Sequence, residues 1–243
     1  MTAEIAADTL DVVKVVLKGA ITSFRYPHFV QGVQPTYEMP PPSTLYGFIC
    51  ACIGRFERPD ILRFGLHFTY EAKFMDLEQV QIDKFREGSA SQREFTMNVF
   101  HRELLFNPTL TLYVAPSTYL DSFQRPYYPV ALGRSQDLMT CISAKLVRLQ
   151  RANQAYFEHT LLPASYAPRF PRTIAVTMAR YLDENRKPDW GNYAIIKERA
   201  FYPDEDDPFR RNYTPVWVDP DAPAIDGLAR GLILHNFTSG QVS

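Results

Sequence analysis

Apolar and polar residues change their spacing several times along the chain, and each change marks an element. Residues 1–9 carry no periodic pattern and read as a loose lead-in. Val12-Val13-Lys14-Val15-Val16-Leu17 is a β-branched run, the mark of a buried first strand, and Gly19 ends it. Residues 24–42 hold too many Pro, Gly and aromatic side chains for a helix. Ser43-Thr44, after three prolines, can cap a helix over 45–53, with Gly54 as its stop. Residues 63–74 alternate, with Phe64, Leu66, Phe68 and Tyr70 on one face, and predict a second strand. Residues 80–85 and 94–106 predict two extended arms joined by the small, polar stretch 87–92, a hairpin signal. Beyond it, 110–114 predict a strand, 116–123 a short helix and 141–149 a strand. Strands are also predicted over 173–181 and 193–201, and the acidic run Asp204-Glu205-Asp206-Asp207 reads as a solvated loop.

Up to residue 150 this is a β-α-β-β-α-β order, the RRM/ferredoxin-like layout of helices packed on one sheet face. The expected fold class is α+β: an RRM-like domain over 1–150 with a protruding β-hairpin, and a smaller β-rich C-terminal region over 151–243 packed on it. Composition agrees, because 19 Pro and 14% aromatics disfavour a helical bundle. Charge narrows the function. A net charge of −1 excludes nucleic-acid binding by bulk charge but leaves room for a local basic surface. Between residues 123 and 172, Arg125, Arg134, Lys145, Arg148, Arg151, Arg169 and Arg172 outnumber Asp137 and Glu158, so a one-sided basic surface is expected there. The three cysteines form no CxxC pair, so neither a disulfide framework nor a Cys-rich zinc site is indicated. The acidic N-terminus lacks the order of a signal peptide, and the apolar run 45–53 is far short of a membrane span. A cytoplasmic protein is expected, without membrane contact.

Catalytic signatures are missing: no GxxxxGK[ST], no GxGxxG after a strand, no GxSxG and no HExxH. The five histidines are scattered, no metal or cofactor is expected, and His67 reads as a satisfied, partly buried histidine. Four stretches are more informative. Thr22-Ser23-Phe24-Arg25-Tyr26-Pro27-His28-Phe29 is either a core-edge loop or a base-stacking and phosphate-contact loop. Residues 34–47 lead into a helix start, an ordinary Pro-capped end or an anion site. The ribbon from Lys84 to Arg102 is a solvated hairpin or a basic one that grips RNA. In Gly133-Arg134-Ser135-Gln136-Asp137, a Gly followed by Arg and Ser lets backbone and guanidinium approach a phosphate together.

At these residues the chain resembles the CRISPR-associated protein 5 family, a subunit of type I Cascade complexes. Phe24-Arg25, Gln34-Pro35-Thr36-Tyr37, Pro40-Pro41-Pro42-Ser43-Thr44-Leu45-Tyr46-Gly47 and Gly54 are similar to its N-terminal signature. Residues 102–113 and Leu132-Gly133-Arg134-Ser135 are similar to its later blocks, in the same order. The resemblance spans 12–145 and leaves the C-terminal third unmatched. It implies a non-catalytic, I-B-like subunit with a thumb hairpin near 80–104. Such a subunit caps the 5′ handle of the crRNA, bridges the backbone subunit to the large subunit, and meets target DNA only through the complex. The implied RNA contacts are Lys18, Ser23, Phe24, Arg25, Tyr26, Gln34, Thr36, Tyr37, Ser43, Tyr46, Gly47, Lys84, Arg93, Arg102, Gly133, Arg134 and Ser135. One branch of the family, in type I-C systems, cleaves RNA with a Tyr after the first helix's glycine and a Lys-His pair. Here Phe48-Ile49-Cys50-Ala51-Cys52-Ile53 follows Gly47 and no Lys-His dipeptide occurs. The rival readings are a metal-independent endoribonuclease using His101, Arg102 and Tyr113, and a purely architectural subunit without RNA contact.

Overall fold

A computed structural model describes residues 8–29, 32–84, 94–170, 172–203 and 214–238, with side chains described except at 80–84 and 94–96. The first eight strands are β1 (Thr9–Gly19), β2 (Ile21–Thr22), β3 (Val33–Gln34), β4 (Arg63–Thr69), β5 (Ala72–Lys84), β6 (Glu94–Phe106), β7 (Thr109–Ala115) and β8 (Met139–Ala152). The C-terminal part adds β9 (Ala155–Phe157), β10 (Thr160–Pro163), β11 (Ile174–Leu182), β12 (Pro188–Ile196), β13 (Ala200–Tyr202), β14 (Val216–Asp219), β15 (Arg230–Leu232) and β16 (His235–Asn236). Helix α1 (Pro42–Ile53) lies between β3 and β4, and α2 (Leu120–Gln124) follows β7. The architecture is a sheet-dominated α+β fold.

The main sheet runs β13-β9-β15-β14-β8-β1-β7-β4-β16. Within it β1 is antiparallel to both β7 and β8, and β4 is antiparallel to β7. Val13, Val15 and Leu17 point to one face, where they pack with Leu45, Phe48 and Ile49 of α1 and Phe123 of α2. Val12 points to the other, with Tyr113, Val147 and Leu149. Burial on both faces is why β1 reads as a continuous apolar run. Its one interruption, Lys14, is ion-paired to the buried Asp219 of β14, whose carboxylate also accepts the Tyr113 hydroxyl at 2.7 Å.

Residues beyond 151 build strands onto both edges of this sheet and also form a second sheet, β10-β12-β11. Along β12 alternate side chains serve two cores: Tyr193 and Ile195 join the α1 side, while Ala194 and Ile196 join a cluster around Phe157, Phe170 and Tyr202.

Three expected boundaries move. The helix begins at Pro42 with Pro41 in the capping position, and no side chain caps it. Proline suits the first helical position because its fixed φ fits and its missing N–H has no helical partner. Ser43 and Thr44 are therefore inside the first turn; Gly54 does end the helix, with φ +86°. The alternating stretch 63–74 is two strands in two sheets: β4 ends at Thr69 and β5 begins at Ala72. Between them Glu71 anchors to the far arm, its N–H on Phe106 O at 2.9 Å and its carboxylate accepting Asn107 Nδ2 at 2.8 Å. Alternation continues across such a crossover, so it conceals the change of sheet. Residues 193–201 likewise split at the charged Lys197-Glu198-Arg199 into β12 and β13.

The hairpin pairs β5 with β6 from Ala72 opposite Phe106 to Lys84 opposite Glu94, so it starts well before residue 80. Its tip, 85–93, and the acidic run 204–207 lie outside the described residues.

Candidate nucleic-acid interface

The loop after β1 is laid against the start of α1 by backbone pairing. Tyr37 N–H donates to Phe24 O at 2.8 Å, and Thr36 Oγ1 accepts the Phe24 N–H at 2.7 Å. The bend before β8 closes in from the other side. The Asp137 carboxylate is buried there and accepts the N–H of Ser23 at 3.1 Å, the N–H of Arg134 at 2.9 Å, and the Arg134 guanidinium at 2.7 Å. Thr22 Oγ1 donates to Leu132 O. Gly133 has φ +109°, and a Cβ there would stand 2.6 Å from Thr22 Oγ1 and 2.8 Å from Ser23 O. Only glycine fits this close approach.

These contacts shape a cleft of about 380 Å³, within the usual range of small-ligand sites. Seven residues expected from the sequence line it: Ser23, Phe24, Arg25, Tyr37, Ser43, Gly133 and Arg134. Thr44 is beside them, at a helix start with no acidic side chain in its first turn. Among the described residues that line the cleft, every charged one is an arginine: Arg25, Arg134 and Arg186. The remaining lining, Ala179, Leu182, Arg186, Pro188 and Trp190, comes from the β11–β12 hairpin and was not expected. The local sequence shows a polar connection between two strands, but nothing in it reveals that the connection lines the same cleft as Arg25.

Several expected contacts are occupied within the protein. Phe24 is only 2% exposed and packs edge-on against Phe68, so its ring belongs to the core. Tyr37 is buried and stacked on the half-buried Tyr26 at 3.7 Å, with its hydroxyl donating to Thr177 O. Burial pushes the Tyr37 phenol up to about 12. Tyr46 is buried against Tyr181 and Phe237, and its hydroxyl donates to Glu57 O. In this structure none of these three rings is presented for base stacking. Gln34 and Thr36 are buried too; Thr36 is a scaffold residue, its N–H bonded to Glu103 Oε2 at 3.1 Å.

The basic candidates divide the same way. Arg102 is buried and ion-paired to Glu78 of the hairpin; Arg134 Nη1 lies 3.4 Å from the same carboxylate, and Gln136 Nε2 at 3.3 Å. Partial burial opposes ionisation of Glu78, yet the Arg102 hydrogen bond and the charges of Arg102 and Arg134 hold its carboxyl below the usual range. Arg25 is exposed in the cleft, and among the described residues it has no ion-pair partner. Lys18, Gly47 and Ser135 are exposed but do not line the cleft. Arg93 and the side chain of Lys84 lie outside the described residues.

The basic surface expected between 123 and 172 does not form as such. Lys145, Arg148 and Arg172 pair with Asp221, Asp11 and Glu198, acids distant in sequence. Arg151 lies over the Trp217 ring at 4.0 Å. Of the residues suspected in an endoribonuclease, His101 is exposed on β6, its neighbour Arg102 is held by Glu78, and Tyr113 is buried on β7. His67 is partly buried as expected but not satisfied: among the described residues its buried Nε2 has no hydrogen-bond partner, the nearest carboxylate being Glu158 at 3.9 Å. Among the described residues no cluster of three or more His, Cys, Asp or Glu could hold a metal ion, and no helix is long and apolar enough to cross a membrane.

The fold has counterparts among solved structures. One is a chain of a "CRISPR RNA-guided surveillance complex", 16% identical, covering 79% of this chain and 91% of that one, with TM-score 0.52. A CRISPR protein from Archaeoglobus fulgidus covers 93% of this chain and all of its own at 9% identity and TM-score 0.48. A chain of a type III-B Cmr-beta complex bound to cognate target RNA covers 77% and 86% at 11% identity and TM-score 0.45. The first of these defines the fold as one found in a CRISPR surveillance complex. No protein-family model and no curated protein sequence matches the chain.

Proposed function

We propose that this protein is a non-catalytic subunit of a type I CRISPR surveillance complex, of the protein 5 kind, that holds the 5′ handle of the crRNA in the arginine-lined cleft. The observation that carries the reading is convergence. Residues from three separate stretches, Ser23-Phe24-Arg25, Tyr37 with Ser43, and Gly133-Arg134, line one cleft at a helix start. A site with three arginines and no lining carboxylate suits a phosphodiester strand. A cleft of this size takes an unpaired nucleotide, the form in which RNA sequence is usually read.

The fold supports the same assignment. The order β8-β1-β7-β4, antiparallel throughout and with α1 and α2 on one face, is the one expected of an RRM-like domain and supports that reading. The long β5–β6 hairpin suits the part of the family's thumb. Exposed Met75, Leu77, Met97 and Val99 on that hairpin suit contact with the backbone subunit of the complex. The test is direct. Purified protein, alone and with the backbone subunit, is incubated with labelled repeat-derived RNA in EDTA, then assayed for binding and cleavage. Handle-dependent binding with intact RNA is expected; specific cuts at the repeat would move the protein to the ribonuclease branch.

A further inference from the structure

The β11–β12 hairpin forms one wall of the cleft, and its tip is rigidly built. Asp183 accepts the N–H groups of Asn185 at 3.0 Å and Lys187 at 2.7 Å, while Arg186 N–H donates to Asp183 O at 2.8 Å. This turn sets Arg186 at φ +60° and starts β12 at Pro188, placing Trp190 opposite Ala179. Trp190 is fixed further by its carbonyl, which accepts Arg180 Nη2 at 3.1 Å. His28 from the loop after β1 stacks on the indole, with centroids 5.7 Å apart and planes at 20°. Trp190 nevertheless remains 36% exposed and lines the cleft. Arg186 is exposed on the same wall, and among the described residues it has no ion-pair partner. A flat ring backed by a second ring, in a cleft that Arg186 and Arg25 also line, matches what an unpaired nucleotide requires.

We infer that Trp190 is the base-stacking residue of this cleft and that Arg186 contacts the adjoining phosphate, so that one unpaired nucleotide of single-stranded RNA extends the His28–Trp190 stack. This rests on the reading of the cleft as an RNA interface. It assigns the stacking role to the C-terminal hairpin, while Phe24, Tyr37 and Tyr46 serve the core.

The chain has 2 Trp, and the other, Trp217, is buried beneath Arg151. Trp217→Phe therefore isolates the Trp190 emission. Titration of this variant with repeat-derived RNA should quench that emission, saturating at the affinity measured separately by anisotropy of labelled RNA. Trp190→Ala should weaken binding roughly 5- to 150-fold, the range of a lost base–aromatic stack. Arg186→Glu should reduce the salt slope by about 1. Should Trp217→Phe fold poorly, the wild-type spectrum is compared with that of Trp190→Phe, which should lose most of the quench. If labelled RNA binds the wild type with Trp190 emission unchanged and Trp190→Ala equal to wild type, the stacking role is overturned while the RNA interface stands. If the wild type binds no RNA by anisotropy, both readings fall.

Discussion

Asp137→Ala should dismantle one wall of the cleft, and the cost follows from what the carboxylate holds. It is buried, accepts two backbone N–H groups from Ser23 and Arg134, and pairs with the Arg134 guanidinium. Removing one member of a buried pair costs about 3–5 kcal/mol, because the other charge is left without compensation. Arg134 keeps Glu78 at 3.4 Å and its side chain is 16% exposed, so part of that is recovered. A loss of about 2–4 kcal/mol is expected. Urea denaturation reads it: with a slope of about 3 kcal/mol per molar, the midpoint should fall by roughly 0.7–1.3 M. Asp137→Asn keeps the shape and one acceptor oxygen, and should cost about half as much. Gly133→Ala should act on the same wall without touching the charge, through strain of about 1–3 kcal/mol plus the clash with Thr22 and Ser23. Midpoints of both Asp137 variants within ~0.2 M of wild type would refute the idea that this carboxylate ties the Gly133 bend to the loop after β1.

Phe24→Ala should destabilise by about 3–5 kcal/mol as a core truncation, whereas Arg25→Glu should leave the urea midpoint near wild type and weaken RNA binding with a shallower salt dependence; the reverse pattern would restore Phe24 as an RNA contact. Burial pushes His235 down to about 4, and burial with the charges of Arg230, His159 and Lys14 pushes His67 down to about 3, so both are neutral in the folded chain. An unfolded histidine takes its proton near pH 6.5, so this stability is intact above that pH. It is lost as pH falls toward 4 and then 3, by up to about 1.4 kcal/mol per pH unit for each group. Urea midpoints at pH 7.5 and pH 5 check this, and His67→Leu should show a smaller drop than wild type. Leu77→Ser and Val99→Ser, at 61% and 53% exposed positions of the hairpin, should change stability by less than ~0.5 kcal/mol yet reduce recovery of the backbone subunit in co-purification.

Much of the fold was legible because its first half is built from local periodicity. The β-branched run at 12–17, the apolar helix ending in Gly54 and the strand expected over 110–114 each became the element expected. Boundaries moved where alternation runs on across a change of sheet, as at Tyr70-Glu71, or where proline begins a helix itself, as at Pro42. Site positions were legible as neighbourhoods and less so as side-chain roles. Phe24 and Arg25 are adjacent and both line the cleft, but the Phe24 ring is buried against Phe68 while the Arg25 side chain is exposed. Glu78, the charge partner that Arg102 and Arg134 share, could not be read locally, because it reaches them from another strand of the fold. Trp190 and Arg186 carried no motif, and they become visible only when the β11–β12 hairpin and the loop after β1 are brought to one cleft.

The most direct measurement is photo-crosslinking of crRNA carrying 4-thiouridine in its 5′ handle to this protein within the assembled complex, with the linked peptides identified by mass spectrometry. Handle crosslinks should map to the peptides carrying Arg25 and His28 and to the peptide carrying Arg186 and Trp190. Crosslinks confined to other surfaces of the subunit, or handle RNA linked only to neighbouring subunits, would contradict an arginine-lined cleft that holds the guide.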